Sequence, residues 1–305
     1  MTVTALATPG YAPPTVPPAV ARPLAPAPDP LPAAEHLADP PQHPWYPRSG
    51  CDSRCRAADD VASTWRASAL VARRAIGLLA TVAFIALSGP LVAVMPRVAR
   101  RRYLGRMARA LLASVGLRVR IEDRRPFAGS TRGLIVANHI SFLDIFALAV
   151  VSPAHMVAKD DVATMPVISG LARRLGVITI DRSALRALPG TVERAVARLH
   201  QDSSVAVFPE GTTWCGRDAG RFRPAFFQAA IDAGVPVIPV RLTFTAADGS
   251  VSAAPSLIGD DSPLDTLRRV MGARGLTLHI RVHEVQLPDV DRRELAARCE
   301  QLVAA

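Results

Sequence analysis

Seven short apolar runs, separated by helical patterns, constrain the fold of this 305-residue chain more than any other feature. Each run is four to eight residues long and rich in Val, Ile and Leu, which is typical of buried strands. Helical patterns separate several of the runs, at residues 142–151, 191–201, 225–233 and 264–273, and a last one follows at 291–303. This alternation predicts an α/β domain over residues 117–305, with a single central mixed sheet covered by helices. The predicted strands are residues 117–122, 133–137, 155–158, 177–180, 205–208, 235–240 and 278–285.

Two further segments precede this domain. Residues 1–60 are rich in Pro and Ala and contain few large apolar side chains, so we expect a disordered tail. Residues 61–116 are predicted to form a membrane-associated helical segment, because residues 75–95 carry no charge and a bilayer core requires about 20 apolar residues. A single span, a re-entrant hairpin kinked at Gly89-Pro90 and a buried core helix are all compatible with this run.

The charge pattern favours a membrane over a nucleic acid as the partner surface. Half of the residues are hydrophobic and the net charge is +10, but the arginines are scattered without interleaved aromatic residues. A basic amphipathic pattern at residues 97–116 predicts a helix that lies on a membrane or packs on the α/β domain. We therefore expect a lipid bilayer, and no nucleic acid, as a partner.

A histidine and an aspartate five positions apart form the first candidate site, in the stretch V-A-N-H-I-S-F-L-D. On a continuous helix such positions would be rotated by about 140° and would not meet. They can meet if His139 lies in the turn after a strand and Asp144 in the first turn of the next helix, which Ser141 would cap. Asp144 would then orient the imidazole and leave its other nitrogen free to accept a proton. Alternatively, Asp144 merely supports the helix N-terminus.

Other polar residues stand at the ends of later predicted strands, where α/β folds usually build their sites. Lys159 follows one apolar run and is the only lysine; Asp181 and Arg182 follow the next. The run at residues 205–208 leads into Pro-Glu-Gly-Thr, which places the Glu210 carboxylate at a rigid strand end. The run V-P-V-I-P-V at residues 235–240 contains two prolines, which predicts an edge or irregular strand.

The four cysteines do not predict a metal site. Cys51 and Cys55 form one C-x-x-x-C pair without a second ligand pair, and Cys215 and Cys299 are distant in the sequence.

Together, these stretches resemble the glycerolipid acyltransferase family over roughly residues 116–285. The four motifs occur in the family's order. They are N-H-x-x-x-x-D at Asn138, His139 and Asp144; I-D-R at Ile180, Asp181 and Arg182; F-P-E-G-T at Phe208 through Thr212; and V-P-V-I-P-V at Val235 through Val240.

The resemblance implies the family's fold and acyl transfer from acyl-CoA or acyl carrier protein to a lysophospholipid hydroxyl, at the cell membrane with the catalytic domain facing the cytoplasm. His139 would be the general base and Asp144 its orienting partner, with oxyanion donors near the start of the following helix. Neither a metal nor a cofactor would be required, because a thioester is already activated. The implied substrate-binding residues are Asn138, Lys159, Arg182, Glu210, Gly211 and Thr212.

One position departs from the pattern of family members that acylate 1-acylglycerol-3-phosphate. Many of these carry arginine after F-P-E-G-T, where this chain has Thr213. Arg217, Arg221 or Arg223 could replace that guanidinium; alternatively, the acceptor is a lyso-ornithine lipid, whose acyltransferases often read F-P-E-G-T-T. A non-catalytic lipid-binding membrane scaffold is the alternative from another functional class, and the presence of both His139 and Asp144 weighs against it.

Overall fold

A seven-stranded mixed sheet forms the centre of the chain, as predicted. The computed structural model describes residues 46–59, 65–125, 131–160, 170, 175–181, 184–201, 203–289 and 291–305. The strands lie in the order β1-β7-β6-β2-β5-β3-β4, and β6 and β7 are the one antiparallel neighbouring pair. Their bounds are β1 Arg118–Asp123, β2 Leu134–Ala137, β3 His155–Lys159, β4 Ile178–Ile180, β5 Val205–Val207, β6 Val237–Thr245 and β7 Thr277–Val282.

Helices cover both faces of this sheet. Strand β2 is buried throughout, and its successive residues alternate between two hydrophobic clusters, as the two-residue period of a strand requires. The first cluster includes residues of α2 (Arg97–Ser114), α3 (Asp144–Val151) and α6 (Pro263–Gly272). The second includes residues of α4 (Leu188–His200), α5 (Phe227–Ala233) and α7 (Arg292–Ala304). The fold is therefore a three-layer α/β arrangement.

The prediction of an edge position for the proline-containing strand was wrong. Strand β6 lies inside the sheet between β2 and β7, and it extends beyond the predicted end to Thr245. The backbone nitrogens of Val237 and Pro239 are two residues apart and therefore both face the β7 side of β6. Val237 pairs there with Gln286, which lies beyond the end of β7. There the Pro239 carbonyl accepts a hydrogen bond from the His283 N–H at 2.9 Å, and the proline forgoes only the reciprocal bond, at a position just beyond the end of β7.

A helical hairpin precedes the sheet. Helix α1 (Trp65–Val94) continues through Pro90, and the chain turns at Met95 and Pro96 into α2. A hydrogen bond between the Ser88 and Tyr103 hydroxyls joins the two helices. Within α1, residues 68–92 form a helix long and apolar enough to cross a membrane, and large apolar side chains such as Ile76, 68% exposed, face away from the protein.

The first turns of α1 are fixed to the α/β domain by Arg74. Its guanidinium donates to the carbonyls of Val270, Met271 and Ala273 at 3.3, 2.9 and 2.6 Å, which caps the C-terminus of α6. The side chain crosses over Gly116, where a Cβ would lie 2.1 Å from the Arg74 Cζ. Helix α2 also packs on the domain, because Gly105 closely approaches the backbone of α3 and Leu112 is fully buried. Packing on the domain, one of the two expectations for this helix, is therefore observed.

Part of the predicted disordered tail, residues 46–59, is described by the structure. Residues 1–45 lie outside the described part, but residues 46–59 pack on the domain and end in a 3-10 helix, Ser53–Asp59. The buried side chain of Cys51 and an ion pair between Arg56 and Asp261 hold this segment. A few specific contacts order a stretch whose composition alone predicts disorder.

Candidate active site

Four parallel strands bring the candidate residues to one edge of the sheet. Strands β2, β5, β3 and β4 are neighbours and run in the same direction, so their carboxyl ends meet at that edge. His139 follows β2, Glu210 follows β5 and Lys159 ends β3. The edge therefore collects residues that are up to 71 positions apart in the sequence.

His139 and Asp144 form the hydrogen-bonded pair that their spacing predicts. The His139 Nδ1 lies 2.9 Å from the Asp144 Oδ2, with the histidine in the turn after β2 and the aspartate at the first residue of α3. Asp144 is completely buried, whereas the His139 side chain is 17% exposed. A carboxylate at this place fixes the tautomer with hydrogen on Nδ1, so Nε2 is the nitrogen that can accept a proton.

Helix α3 begins two residues later than predicted, and its cap differs from the predicted one. The Ser141 Oγ accepts from the Leu143 N–H at 3.3 Å, and the N–H groups of Ile140 and Ser141 donate to the Asp144 Oδ2 at 2.7 and 2.8 Å. The Asp144 N–H donates to the Ser141 carbonyl. These four N–H groups are therefore occupied within the turn, and oxyanion donors elsewhere near the start of α3 stay a prediction.

Two aromatic residues that the motif analysis did not single out hold His139 in place. The Phe208 ring stacks on the imidazole with a centroid distance of 3.9 Å and an interplanar angle of 9°. The Trp214 backbone N–H donates to the His139 carbonyl at 2.8 Å. Phe208 belongs to the F-P-E-G-T motif, and its position there could have pointed to a role beside the histidine. The contact of Trp214 joins residues 75 positions apart, and no local sequence pattern predicts it.

Glu210 binds the backbone beneath the histidine. Its Oε2 accepts from the His139 N–H at 2.6 Å and its Oε1 from the Gly220 N–H at 2.9 Å. Only 4% of the residue is exposed, and this burial raises the pKa of its carboxyl group to about 8. In the structure Glu210 therefore positions the turn that carries the catalytic candidate, and contact with the acceptor stays a prediction.

The Asn138 side chain joins two strands. Its Oδ1 accepts from the Leu242 N–H at 2.8 Å, and its Nδ2 donates to the Leu242 carbonyl at 3.0 Å. An amide that pairs with both backbone groups of one residue fixes β2 against β6 directly before His139. The structure thus gives Asn138 a positioning contact; its predicted substrate contact is untested.

Gly211 forms the tight turn that follows Glu210. Its φ of +77° favours glycine, and a Cβ would meet Pro47 of the N-terminal segment at 2.9 Å. Beyond Thr212, the Thr213 hydroxyl donates to the Leu257 carbonyl. The exposed Arg223 passes beside Gly211, whereas Arg217 donates to the carbonyls of Cys55 and Val251. Of the three arginines proposed to replace the missing guanidinium, Arg223 has the contact nearest the motif.

Lys159 lies on the same edge as His139, two strands away. At about 4.8 Å per strand, β3 is roughly 10 Å from β2, with β5 between them. Asp181 directly follows β4, and its Oδ1 accepts from the Ala184 N–H at 3.2 Å. Arg182 lies outside the described residues, so its predicted phosphate contact remains a prediction.

Comparisons with known proteins identify the family. A family model described as Acyltransferase matches residues 118–243. The chain is 34% identical to the 1-acyl-sn-glycerol-3-phosphate acyltransferase of Neisseria meningitidis, over 68% of this chain and 81% of the relative. It is 33% identical to the lyso-ornithine lipid O-acyltransferase of Pseudomonas aeruginosa, over 63% of this chain and 73% of the relative.

The fold is also that of a solved structure. The crystal structure of the 1-acyl-sn-glycerophosphate acyltransferase PlsC from Thermotoga maritima matches with a TM-score of 0.52 and 22% identity, and the match covers 76% of this chain and 94% of that one. At this identity the match shows a shared fold, and the closer sequence relatives show the family. The chain belongs to the glycerolipid acyltransferase family and is an acyltransferase that resembles the 1-acylglycerol-3-phosphate acyltransferases.

Proposed function

We propose that the protein transfers a fatty acyl group from acyl-CoA or acyl carrier protein to the free hydroxyl of a lysophospholipid, with 1-acylglycerol-3-phosphate as acceptor and phosphatidic acid as product. The observation that carries this proposal is the 2.9 Å contact between the His139 Nδ1 and the buried Asp144 Oδ2, beside a partly exposed ring. Sequence similarity to 1-acyl-sn-glycerol-3-phosphate acyltransferases supports the substrate class.

In the proposed reaction, His139 acts as the general base. Its Nε2 removes the proton from the acceptor hydroxyl while the oxygen attacks the thioester carbonyl. The imidazolium that forms is stabilised by the Asp144 carboxylate, and it returns the proton to the leaving thiolate as the tetrahedral intermediate collapses. No covalent acyl-enzyme is formed, and the thioester supplies the activation, so no metal or cofactor participates.

The anionic part of the acceptor requires cations on the same edge of the sheet. We assign this role to Lys159, Arg182 and Arg223. Arg223 lies beside the Gly211 turn, and a guanidinium there would serve the phosphate as the family's arginine after the motif does. Arg223→Ala should raise KM for 1-acylglycerol-3-phosphate more than it lowers kcat.

A lyso-ornithine lipid is the second candidate acceptor. The position after F-P-E-G-T holds Thr213, whose hydroxyl is bonded to the Leu257 carbonyl, so this residue offers no charge to a phosphate. Relatives named lyso-ornithine lipid O-acyltransferase match with 33% and 31% identity. Both acceptors must therefore be compared with the same preparation.

The proposed location is the cell membrane, with the catalytic domain on the cytoplasmic side. The exposed apolar surface of α1 supports membrane attachment, and the side follows from where acyl-CoA and acyl carrier protein are found. Protease accessibility of the two chain ends in sealed, oriented vesicles tests the orientation. Protection of the C-terminal domain in vesicles whose outer face is cytoplasmic would contradict it.

An acyl-transfer assay on purified protein tests the proposed activity. Labelled acyl-CoA and labelled acyl carrier protein are each offered with 1-acylglycerol-3-phosphate and with lyso-ornithine lipid in parallel. We expect turnover that His139→Ala reduces by at least about 10²-fold while the variant remains folded. The exposed His200, at the end of α4, provides the matched control, and His200→Ala should retain wild-type activity. Equal turnover in His139→Ala would reject the base assignment, and no turnover in the wild type with either acceptor and either donor would favour the scaffold.

A further inference from the structure

Three cysteines from two distant stretches of the sequence meet beside the active-site loop. The sulfur atoms of Cys51, Cys55 and Cys215 all lie within 4.8 Å of one another. Cys51 and Cys215 are buried and Cys55 is half-buried, and all three are free thiols. The first two belong to the N-terminal segment that packs on the domain, and the third follows the F-P-E-G-T motif by three residues. The fold thus supplies the third ligand that the C-x-x-x-C pair lacks in the sequence.

The spacing of these sulfurs suits a tetrahedral metal ion. With metal–sulfur bonds of about 2.3 Å, two sulfurs on one zinc ion lie about 3.8 Å apart, so shifts of less than about 1 Å per pair would close the site. The Cys215 backbone N–H points at the Cys51 Sγ at 3.4 Å, and such a donor stabilises a thiolate. The Asp218 carboxylate Oδ2 lies 3.9 Å from the Cys215 Sγ, which places a carboxylate beside one of the three sulfurs.

We propose that Cys51, Cys55 and Cys215 bind one Zn²⁺ as thiolates, with the fourth position taken by the Asp218 carboxylate or a water molecule. Three thiolates select a soft or borderline cation, and zinc accepts this donor set in tetrahedral geometry. Binding releases the three thiol protons to solvent, and no electron is transferred. Ala253 and Ile258 complete an apolar pocket around Cys51 and Cys215, so the cysteines would also be compatible with simple packing. Packing alone, however, does not require three sulfurs to converge on one point.

The ion would brace the active site without touching the substrate. The residue before Cys215 is Trp214, whose N–H holds the His139 carbonyl, and the segment that carries Cys51 places Pro47 against Gly211. A metal that joins these two stretches would fix the loop behind the catalytic histidine. The three cysteines are therefore positioning residues in this proposal.

Metal content tests the site independently of acyl transfer. The full chain is purified in mild detergent under reducing conditions, loaded with Zn²⁺, dialysed against metal-free buffer and measured by mass spectrometry of the metal. We expect one zinc ion per chain in the wild type. Loss of a ligand should weaken binding by at least about 100-fold, because loss of a mere outer-shell partner already costs about 10–100-fold. Cys51→Ala, Cys55→Ala and Cys215→Ala should therefore be nearly free of zinc.

Cys299 provides the matched control, because it is a buried cysteine in the other hydrophobic cluster. Cys299→Ala should retain the wild-type zinc content. Co²⁺ loaded in place of Zn²⁺ should give thiolate-to-cobalt charge-transfer absorption in the wild type and in Cys299→Ala, and none in Cys215→Ala. If the variants at the buried positions fail to fold, competition between the wild type, Cys55→Ala and a chromophoric chelator gives the same comparison.

The proposal would be overturned if the reduced wild type retained no zinc, including the case in which two of the three cysteines form a disulfide and the chain takes up no zinc after reduction. It would also be overturned if the ligand variants retained as much zinc as the wild type. Because none of these readouts depends on turnover, a chain that binds zinc but transfers no acyl group would refute the proposed function and leave the metal site standing.

Discussion

Replacement of Asp144 by asparagine removes one charge and almost no volume from the active site. In the structure the Oδ2 accepts from the His139 ring and from the N–H groups of Ile140 and Ser141 at 2.9, 2.7 and 2.8 Å. Because two backbone donors already point at this place, the amide oxygen must occupy it, and an NH₂ group there would meet two N–H groups. The variant therefore keeps the tautomer of His139 and loses only the negative charge beside it.

The magnitude follows from the charge pair formed during the reaction. Two unit charges about 4 Å apart interact by about 4 kcal/mol at an effective dielectric constant of about 20. If the imidazolium is fully formed in the transition state, loss of this attraction lowers the rate by about 10³-fold. If the proton is only partly transferred, the rate falls by less. We expect Asp144→Asn to lower kcat by about 10²–10³-fold. The amide NH₂ would take the buried place of Oδ1, which already has no partner among the described residues, so no further group becomes unpaired. Stability should still fall by about 1–3 kcal/mol, because three hydrogen bonds lose their charged acceptor.

Thiol release from acyl-CoA at saturating acceptor measures kcat, and a thermal melt of the same preparation measures the change in stability. Asp232→Asn, at an exposed position on α5, serves as the control and should have no effect on kcat. The double variant with His139→Ala should be no slower than His139→Ala alone, since the two residues act as a unit. An Asp144→Asn enzyme within about threefold of the wild-type kcat, or a double variant slower by the product of both factors, would refute the reasoning.

Three further predictions concern residues that position the site. Burial raises the pKa of Glu210 to about 8, whereas the ordinary value is 4.5, so between these pH values the folded chain holds a proton that the unfolded chain has lost. The free energy of unfolding should therefore fall as the pH rises from 4.5 to 8, by up to about 1.4 kcal/mol per pH unit. Glu210→Gln should remove this pH dependence in denaturant titrations. A slope unchanged in the variant would contradict this assignment. Asn138→Ala breaks both bonds to Leu242 and should lower the free energy of unfolding by about 1–3 kcal/mol with KM for the acceptor unchanged; a large KM increase at constant stability would instead indicate a substrate contact. Arg74→Ala should lower the melting temperature. Arg74→Lys should restore only part of it, because the three carbonyls surround one guanidinium nitrogen, Nη1, which lies farther from the backbone than a lysine ammonium reaches; full restoration by lysine would count against the cap.

Strands β2 and β5 could be predicted because strands buried on both faces require uninterrupted apolar runs, and β1 and β7 because apolar residues alternate with polar ones along them. The same rule failed for β6, where Pro239 suggested an edge. The strand tolerates this proline because β7 ends before the position opposite it. That end, at Val282, is 43 residues from Pro239 and cannot be read from the local sequence. The extension of β6 to Thr245 has the same cause, since it depends on antiparallel pairing with β7.

The His139–Asp144 pair was predictable because a five-residue separation crosses a single turn, whose geometry follows from the strand before it and the helix after it. The supports of the pair lie far away in the sequence. Glu210 is 71 residues from His139, Leu242 is 104 residues from Asn138 and Cys215 is 164 residues from Cys51. Contacts at such separations are fixed by tertiary packing, so no local sequence pattern predicts them.

The length of α1 affects how this enzyme would encounter a lipid acceptor. The helix has 30 residues and so extends for about 45 Å, and only its first turns are held by the domain. An enzyme attached to a bilayer by the remaining turns would search for its acceptor in two dimensions. Its rate should then depend on the mole fraction of lysolipid in the surface, and dilution with inert lipid at constant bulk concentration should slow it.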